Sequence, residues 1–95
     1  MKLTTPLLLT FILLFTACGN ETRYTYYPNG GLRIKATYNS ENQLDGEYLS
    51  YHETGAISTK ENYKNGKLDG KFFAYYSTGE VKFEREYSEG KCISW

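Results

Sequence analysis

Two stretches of the chain nearly copy each other: QLDGEYLSYHETGAI at 43–57 and KLDGKFFAYYSTGEV at 67–81. Tyr51 and Tyr75, Gly55 and Gly79, Ile57 and Val81, Tyr63 and Tyr87, Gly46 and Gly70, and Gly66 and Gly90 each stand 24 residues apart. The same template reaches backwards with an offset of one, setting Tyr26, Gly30, Leu32 and Tyr38 against Tyr51, Gly55, Ile57 and Tyr63. The extra residue lies in NSENQ, between Tyr38 and Leu44, where KNGK stands between Tyr63 and Leu68, so that place is a loop. A fixed period of this length marks a repeat array, in which each copy is one supersecondary unit.

Within a copy the second half alternates. Leu32, Ile34, Ala36 and Tyr38 share one parity against Arg33, Lys35 and Thr37; Val81, Phe83, Arg85 and Tyr87 oppose Lys82, Glu84 and Glu86. Period two places successive side chains on opposite faces of a half-buried strand. The first half, Gly46–Tyr51 and Gly70–Tyr76, carries aromatics on both parities, which suits a strand partly covered on both sides. Asn29-Gly30, Asp45-Gly46, Thr54-Gly55, Asn65-Gly66, Asp69-Gly70, Thr78-Gly79 and Glu89-Gly90 read as hairpin turns, because glycine takes positive φ without strain. The expectation is an all-β fold: an antiparallel meander of six to seven strands in an elongated single-layer sheet.

The template Gly46-x-Tyr48-x-x-Tyr51-x-x-x-Gly55-x-Ile57-x5-Tyr63-x-x-Gly66, repeated from Gly70 to Gly90, resembles the bacterial variant of the MORN repeat, often labelled as the YwqK-type antitoxin family. The resemblance covers Tyr26 to the C-terminus. It implies repeated β-hairpins in one sheet and an interaction role, and it implies no catalytic residue.

The first seventeen residues, MKLTTPLLLTFILLFTA, hold one early cation and a short apolar run from Pro6 to Phe15, which reads as a cleaved export signal. Phe15-Thr16-Ala17-Cys18 resembles the bacterial lipobox, in which the cysteine becomes the acylated N-terminus. Phe15 departs from the usual aliphatic residue, and an ordinary secretory signal or an uncleaved anchor are the competing readings. The expected division is therefore 1–17 signal peptide, 18–25 lipidated cysteine and polar tether, with the first strand near Tyr24, and 26–95 repeat domain. Gly19, rather than an aspartate, follows the cysteine, which in Gram-negative sorting looks like export to the outer membrane. Acylation would leave Cys92 alone, either as a small hydrophobe on the last strand or as an intermolecular disulfide partner.

Lys2 apart, ten basic side chains face eleven acidic ones with the signs interspersed, which gives no footprint for nucleic acid. No nucleophile with a base in reach, no metal-ligand spacing and no phosphate-cradling loop stands out, so neither an enzyme nor a cofactor is expected. The lone histidine, His52, falls in a turn whose sister position is Tyr76, and reads as a solvent-exposed turn residue. Two readings of the tyrosines stay open: packing against neighbours, with the hydroxyl wet, or an aromatic binding platform. Candidate binding residues are Tyr48, Tyr51, Phe72 and Tyr75, together with Glu47, Lys71 and His52, where the copies differ. The expected partner is a protein or envelope component, with a toxin or a glycan as narrower alternatives. Because end strands carry unpaired backbone groups, edge-to-edge self-association is also open.

Overall fold

A computed structural model describes residues 19–94; the expected signal peptide, Cys18 and Trp95 lie outside the described residues. Eight strands form one antiparallel sheet: β1 (Glu21–Tyr26), β2 (Leu32–Tyr38), β3 (Leu44–Tyr51), β4 (Ile57–Lys64), β5 (Lys67–Leu68), β6 (Gly70–Tyr75), β7 (Val81–Ser88) and β8 (Lys91–Ser94). Their spatial order is β1-β2-β3-β4-β6-β7-β8, with the two-residue β5 paired to β4 beside β6. The all-β, single-sheet expectation holds. The count exceeds six or seven because β5 and β6 are one repeat strand broken at Asp69; β1 also starts earlier than expected, at Glu21 instead of near Tyr24.

The sheet stays one layer thick. Its radius of gyration is 15.7 Å and its extents are 54 × 31 × 15 Å, whereas a compact chain of this size would have a radius of about 11 Å. Among the described residues only Ala36, Leu49 and Ala74 are buried apolar side chains. With so little core, order rests on backbone pairing and on what happens at the strand ends.

Both ends are stapled at repeat-equivalent positions. At one end, loops 27–31, 52–56 and 76–80 close in the same way: Tyr27, His52 and Tyr76 each donate their N–H to the carbonyl four residues on. The side chain at the head of a loop then reaches into the next copy. Tyr27 donates its hydroxyl to the Tyr51 carbonyl, and His52 Nε2 lies 3.1 Å from the Tyr75 carbonyl. A carbonyl only accepts, so Nε2 carries the proton. His52 is therefore half-buried and bridging, not the solvent-exposed turn residue expected.

At the other end, Asn65-Gly66 and Glu89-Gly90 are two-residue turns with positive φ at both positions, 50° and 88° in the first, 51° and 87° in the second. These are primed hairpin turns, whose twist matches that of the strands they join. Each docks on the preceding copy. Gly66 N–H donates to the Leu44 carbonyl and Asn65 N–H to Asp45 Oδ1; Gly90 N–H donates to the Leu68 carbonyl and Glu89 N–H to Asp69 Oδ1.

Leu-Asp-Gly is thus no hairpin turn, contrary to the sequence expectation for Asp45-Gly46 and Asp69-Gly70. Gly46 lies inside β3 and Gly70 opens β6, with φ of 116° and 111°. The kink turns the aspartate toward the neighbouring turn, and a Cβ on Gly46 would stand 3.4 Å from Thr37. A second irregularity recurs in every copy, with the register shifting at Thr25/Tyr26, Ser50/Tyr51 and Ala74/Tyr75. A β-bulge of this kind increases local twist and interrupts side-chain alternation.

The Asp69→Ala variant removes a carboxylate acceptor from a backbone N–H and is expected to cost about 1 kcal/mol in urea unfolding. His52→Ala removes the bridge to Tyr75 and should cost a similar amount, about 1 kcal/mol. His52→Tyr, which copies Tyr27, should recover most of that loss in the same measurement.

Candidate binding face

Cross-strand pairs assign the two faces, because residues directly opposite in antiparallel strands point to the same side. One row runs Arg23–Ala36–Tyr48–Glu61, and the β6–β7 pairing adds Phe72–Arg85. The printed pairs Thr59–Ala74 and Lys60–Phe73, continued by one step, set Glu61 opposite Phe72 and so make it a single row. The next row holds Ile34, Ser50, Thr59, Ala74 and Phe83. By alternation Tyr38, Tyr63 and Tyr87 share this face.

Glu61 sits at its centre, 8% exposed, the one buried charged side chain among the described residues. An isolated buried carboxylate is costly, so its partners matter. Thr59 Oγ1 donates to Oε2 at 2.8 Å and Tyr63 Oη donates to Oε1 at 2.7 Å. Thr59 has one hydroxyl proton and spends it on Glu61. Ser50 Oγ, 2.6 Å from Thr59 Oγ1, must therefore be the donor of that pair. The result is a directed chain, Ser50 to Thr59 to Glu61, with Tyr63 closing it from the other side.

Aromatic rings surround the carboxylate. Tyr48 and Tyr63 meet edge to face at 5.8 Å, Phe72 stacks on Phe83 at 5.7 Å, and Phe72 tilts against Tyr87 at 6.0 Å. Two guanidiniums sit over rings of this face, Arg23 4.1 Å from the Tyr38 centroid and Arg85 4.2 Å from that of Phe83. The face is thus aromatic and half-buried, with a central negative charge and positive charges to either side.

The opposite face differs. Its central row is Lys35–Leu49–Lys60–Phe73–Glu84, with Phe73 stacked on Tyr75 at 6.1 Å and Lys71 bridging to Glu84 at 3.3 Å. The seven candidates from the sequence are therefore not one patch. Tyr48 and Phe72 join the aromatic face, whereas Tyr51, Tyr75, Glu47 and Lys71 fall on the lysine-bearing side and His52 bridges copies at the strand ends. The reason is the period of two: Tyr48 and Tyr51 are three apart, an odd step that sends them to opposite faces.

Glu61, Tyr63 and Arg85 were missed as a site. The signal lay in the repeat alignment, where Ala36, Glu61 and Arg85 occupy one repeat position as small, negative and positive side chains. Among the described residues no three His, Cys, Asp or Glu side chains converge as metal ligands. Cys92 is on the last strand, as expected, but is exposed there, its Sγ 3.5 Å from the Ser94 carbonyl.

Burial, the hydrogen bond to Glu61 and the carboxylate's charge hold the Tyr63 phenol well above its usual range. Burial first and Glu61 second raise Tyr48 as well. A group raised in the folded state contributes stability in full below its unfolded value, about 10 for tyrosine, and loses it as pH climbs beyond. Urea midpoints are expected to hold steady to about pH 9.5 and to fall above pH 10. Tyr63→Phe should cost about 1 kcal/mol at pH 7 and make that alkaline fall shallower.

The repeat seen in the fold is also found by comparison. The family model for the MORN repeat variant matches three times, over residues 22–40, 44–65 and 68–89. No curated protein and no solved structure matches the chain. The three matches enclose the stapled hairpins, from the Tyr27 bridge to the Asp69 cap. On these matches the chain belongs to the MORN repeat variant family.

Proposed function

We propose that the protein is a lipid-anchored envelope protein without enzymatic activity, whose MORN repeat sheet docks another protein or envelope component. The observation that carries the docking reading is the aromatic face. A single layer has no second layer to cover Tyr48, Tyr63, Phe72 and Phe83, and domains ordinarily bury such a surface against a second one. Tyrosine and arginine are the side chains most favoured where a surface must be wet when free and dry when bound. The absence of convergent catalytic groups in the sequence motivates the non-enzymatic reading.

Support for the anchor comes from the lipobox resemblance at Cys18 and from the position of β1. Only Gly19 and Asn20 separate Cys18 from the strand, a reach of about 7 Å. Asn20 Nδ2 donates to Asp45 Oδ2 at 3.2 Å. Glu21 lies opposite Tyr38, so this end of the sheet, with loop 39–43 and the two primed turns, would rest near the bilayer. Loops 27–31, 52–56 and 76–80 would then point away from it.

Two narrower partners follow from the same reading. A toxin, as for an antitoxin or immunity protein, rests on the family label that the repeats resemble; a glycan rests on the tyrosines alone. Exclusive capture of one toxic protein from envelope extracts would select the first, and glycan-array binding lost in Tyr48→Ala the second.

Fractionation tests the anchor: the wild type is expected in the membrane pellet and Cys18→Ser in the soluble fraction. A pellet-bound Cys18→Ser variant would sink the lipid claim. Loss of captured partners in a Tyr48→Ala/Phe83→Ala variant that keeps its strand signal in circular dichroism would support the aromatic face as the docking surface.

A further inference from the structure

Charges whose signs are mixed along the sequence are sorted by the pleat. Lys35, Leu49, Lys60 and Phe73 share the central row of the face opposite the aromatic one. Lys64, four residues beyond Lys60 on β4, stands directly opposite Lys67; Lys71 stands opposite Glu86, and Lys91 opposite Ser88, four residues beyond Glu84. Six of the seven lysines after Lys2 are therefore on this one face, and the seventh, Lys82, lies at the β7 bulge, 5.5 Å from the Tyr76 ring centroid. The carboxylates paired onto the same face are Glu47, Glu84 and Glu86, of which Glu84 is taken up by Lys71. Six cations against three anions leave this face positive in a chain of zero net charge. The charge is concentrated on β4, β5 and β6, where Lys60, Lys64, Lys67 and Lys71 adjoin. Like charges directly opposite destabilise a sheet, and among the described residues no carboxylate bridges Lys64 or Lys67. Toward loops 52–56 and 76–80 the same face turns apolar, with Phe73 opposite Lys60 and stacked on Tyr75 at 6.1 Å.

We propose that the lysine-bearing face is a second docking surface, and that its occupant is an acidic segment of a partner protein, extended along β4 with carboxylates over Lys60, Lys64 and Lys67 and an apolar end on Phe73 and Tyr75. This goes beyond the docking role of the aromatic face and does not depend on it. Charge complementarity selects an anion, and the like-charged Lys64–Lys67 pair is relieved when a carboxylate lies over it. Lys60 and Lys64 are four residues apart, about 13 Å along the strand. An extended peptide has the same rise, so its alternate side chains, about 6.8 Å apart on one side, keep step with the strand beneath. The apolar end selects a polypeptide, because Phe73 and Tyr75 give a purely ionic polymer nothing to hold. Lys64, Lys67 and Lys71 are exposed, as is Lys60, so their charges are met without unfolding any part of the sheet.

The test is fluorescence anisotropy of a labelled synthetic peptide in which glutamate alternates with serine and two phenylalanines close one end. It is titrated with the chain from residue 19, which holds every strand and staple described, and far-ultraviolet circular dichroism checks the fold of each variant. Against a control peptide with glutamine for glutamate, the acidic probe is expected to bind about tenfold more tightly at low salt and to lose that advantage near 1 M, where the screening length falls to about 3 Å. Lys60→Glu and Lys64→Glu should each weaken binding about tenfold, whereas Lys35→Glu, the same charge change two strands away, should weaken it about threefold or less. Omitting the two phenylalanines should cost about another threefold. An acidic probe that fails to bind at about 1 mM overturns the proposal. So does an equal loss in Lys35→Glu, which would reduce the binding to net charge. Polyphosphate or anionic vesicles bound through Lys60 and Lys64, with the peptide ignored, would give the face to another polyanion and overturn it too. None of these side chains belongs to the aromatic face, so capture through Tyr48 and Phe83 is a separate result whichever way this one falls.

Discussion

Everything in this molecule depends on the hydrogen bonds that tie one repeat to the next at the strand ends. Among the described residues three buried apolar side chains are too few to hold a domain of this size, and a single sheet has no second layer to lean on. The ladder supplies pairing along the strands. The Leu-Asp-Gly segments then receive the two N–H groups of the following turn, one on a backbone carbonyl and one on a carboxylate. At the opposite end Tyr27 and His52 do the same work with a hydroxyl and an imidazole. Stability in such an array is a sum of repeats and their junctions, and the junctions here are polar.

That arrangement frees the faces from carrying the fold. The aromatic side keeps its rings half-exposed, and it tolerates a carboxylate at its centre because Tyr63 and Thr59, the latter itself bonded from Ser50, donate their hydroxyls to it. Burial first and Glu61 second raise the Tyr63 and Tyr48 phenols further above their ordinary value, so the surface they form carries no tyrosinate at physiological pH. The position that holds Glu61 in the second copy holds Ala36 in the first and Arg85 in the third. One backbone template thus presents three different chemistries at equal spacing, which is how a repeat with uniform geometry acquires a specific surface.

How much of this was legible in the residues follows from which interactions are local. Alternation over 32–38 and 81–87, and the Asn-Gly pair at 65–66, are short-range signals, and β2, β7 and the first primed turn appear where they pointed. Asp45-Gly46 and Asp69-Gly70 look locally like turns but are kinks, because their aspartates answer to a turn about twenty residues later. His52 was read as exposed for the same reason: its partner, Tyr75, is 23 residues away. The binding candidates went astray through a missed parity, since Tyr48 with Tyr51 and Phe72 with Tyr75 span both faces.

The sequence by itself determined the repeat, its period, the strand content and the family, because these are written in spacing and in the conformational needs of glycine. Tertiary structure alone decided which face each aromatic occupies, that Glu61 is buried and answered by Ser50, Thr59 and Tyr63, and that Arg85 shares its row. Those facts depend on cross-strand register and on a bulge in each copy, and a shift of one residue in either would have sent the same side chains to the other side of the sheet.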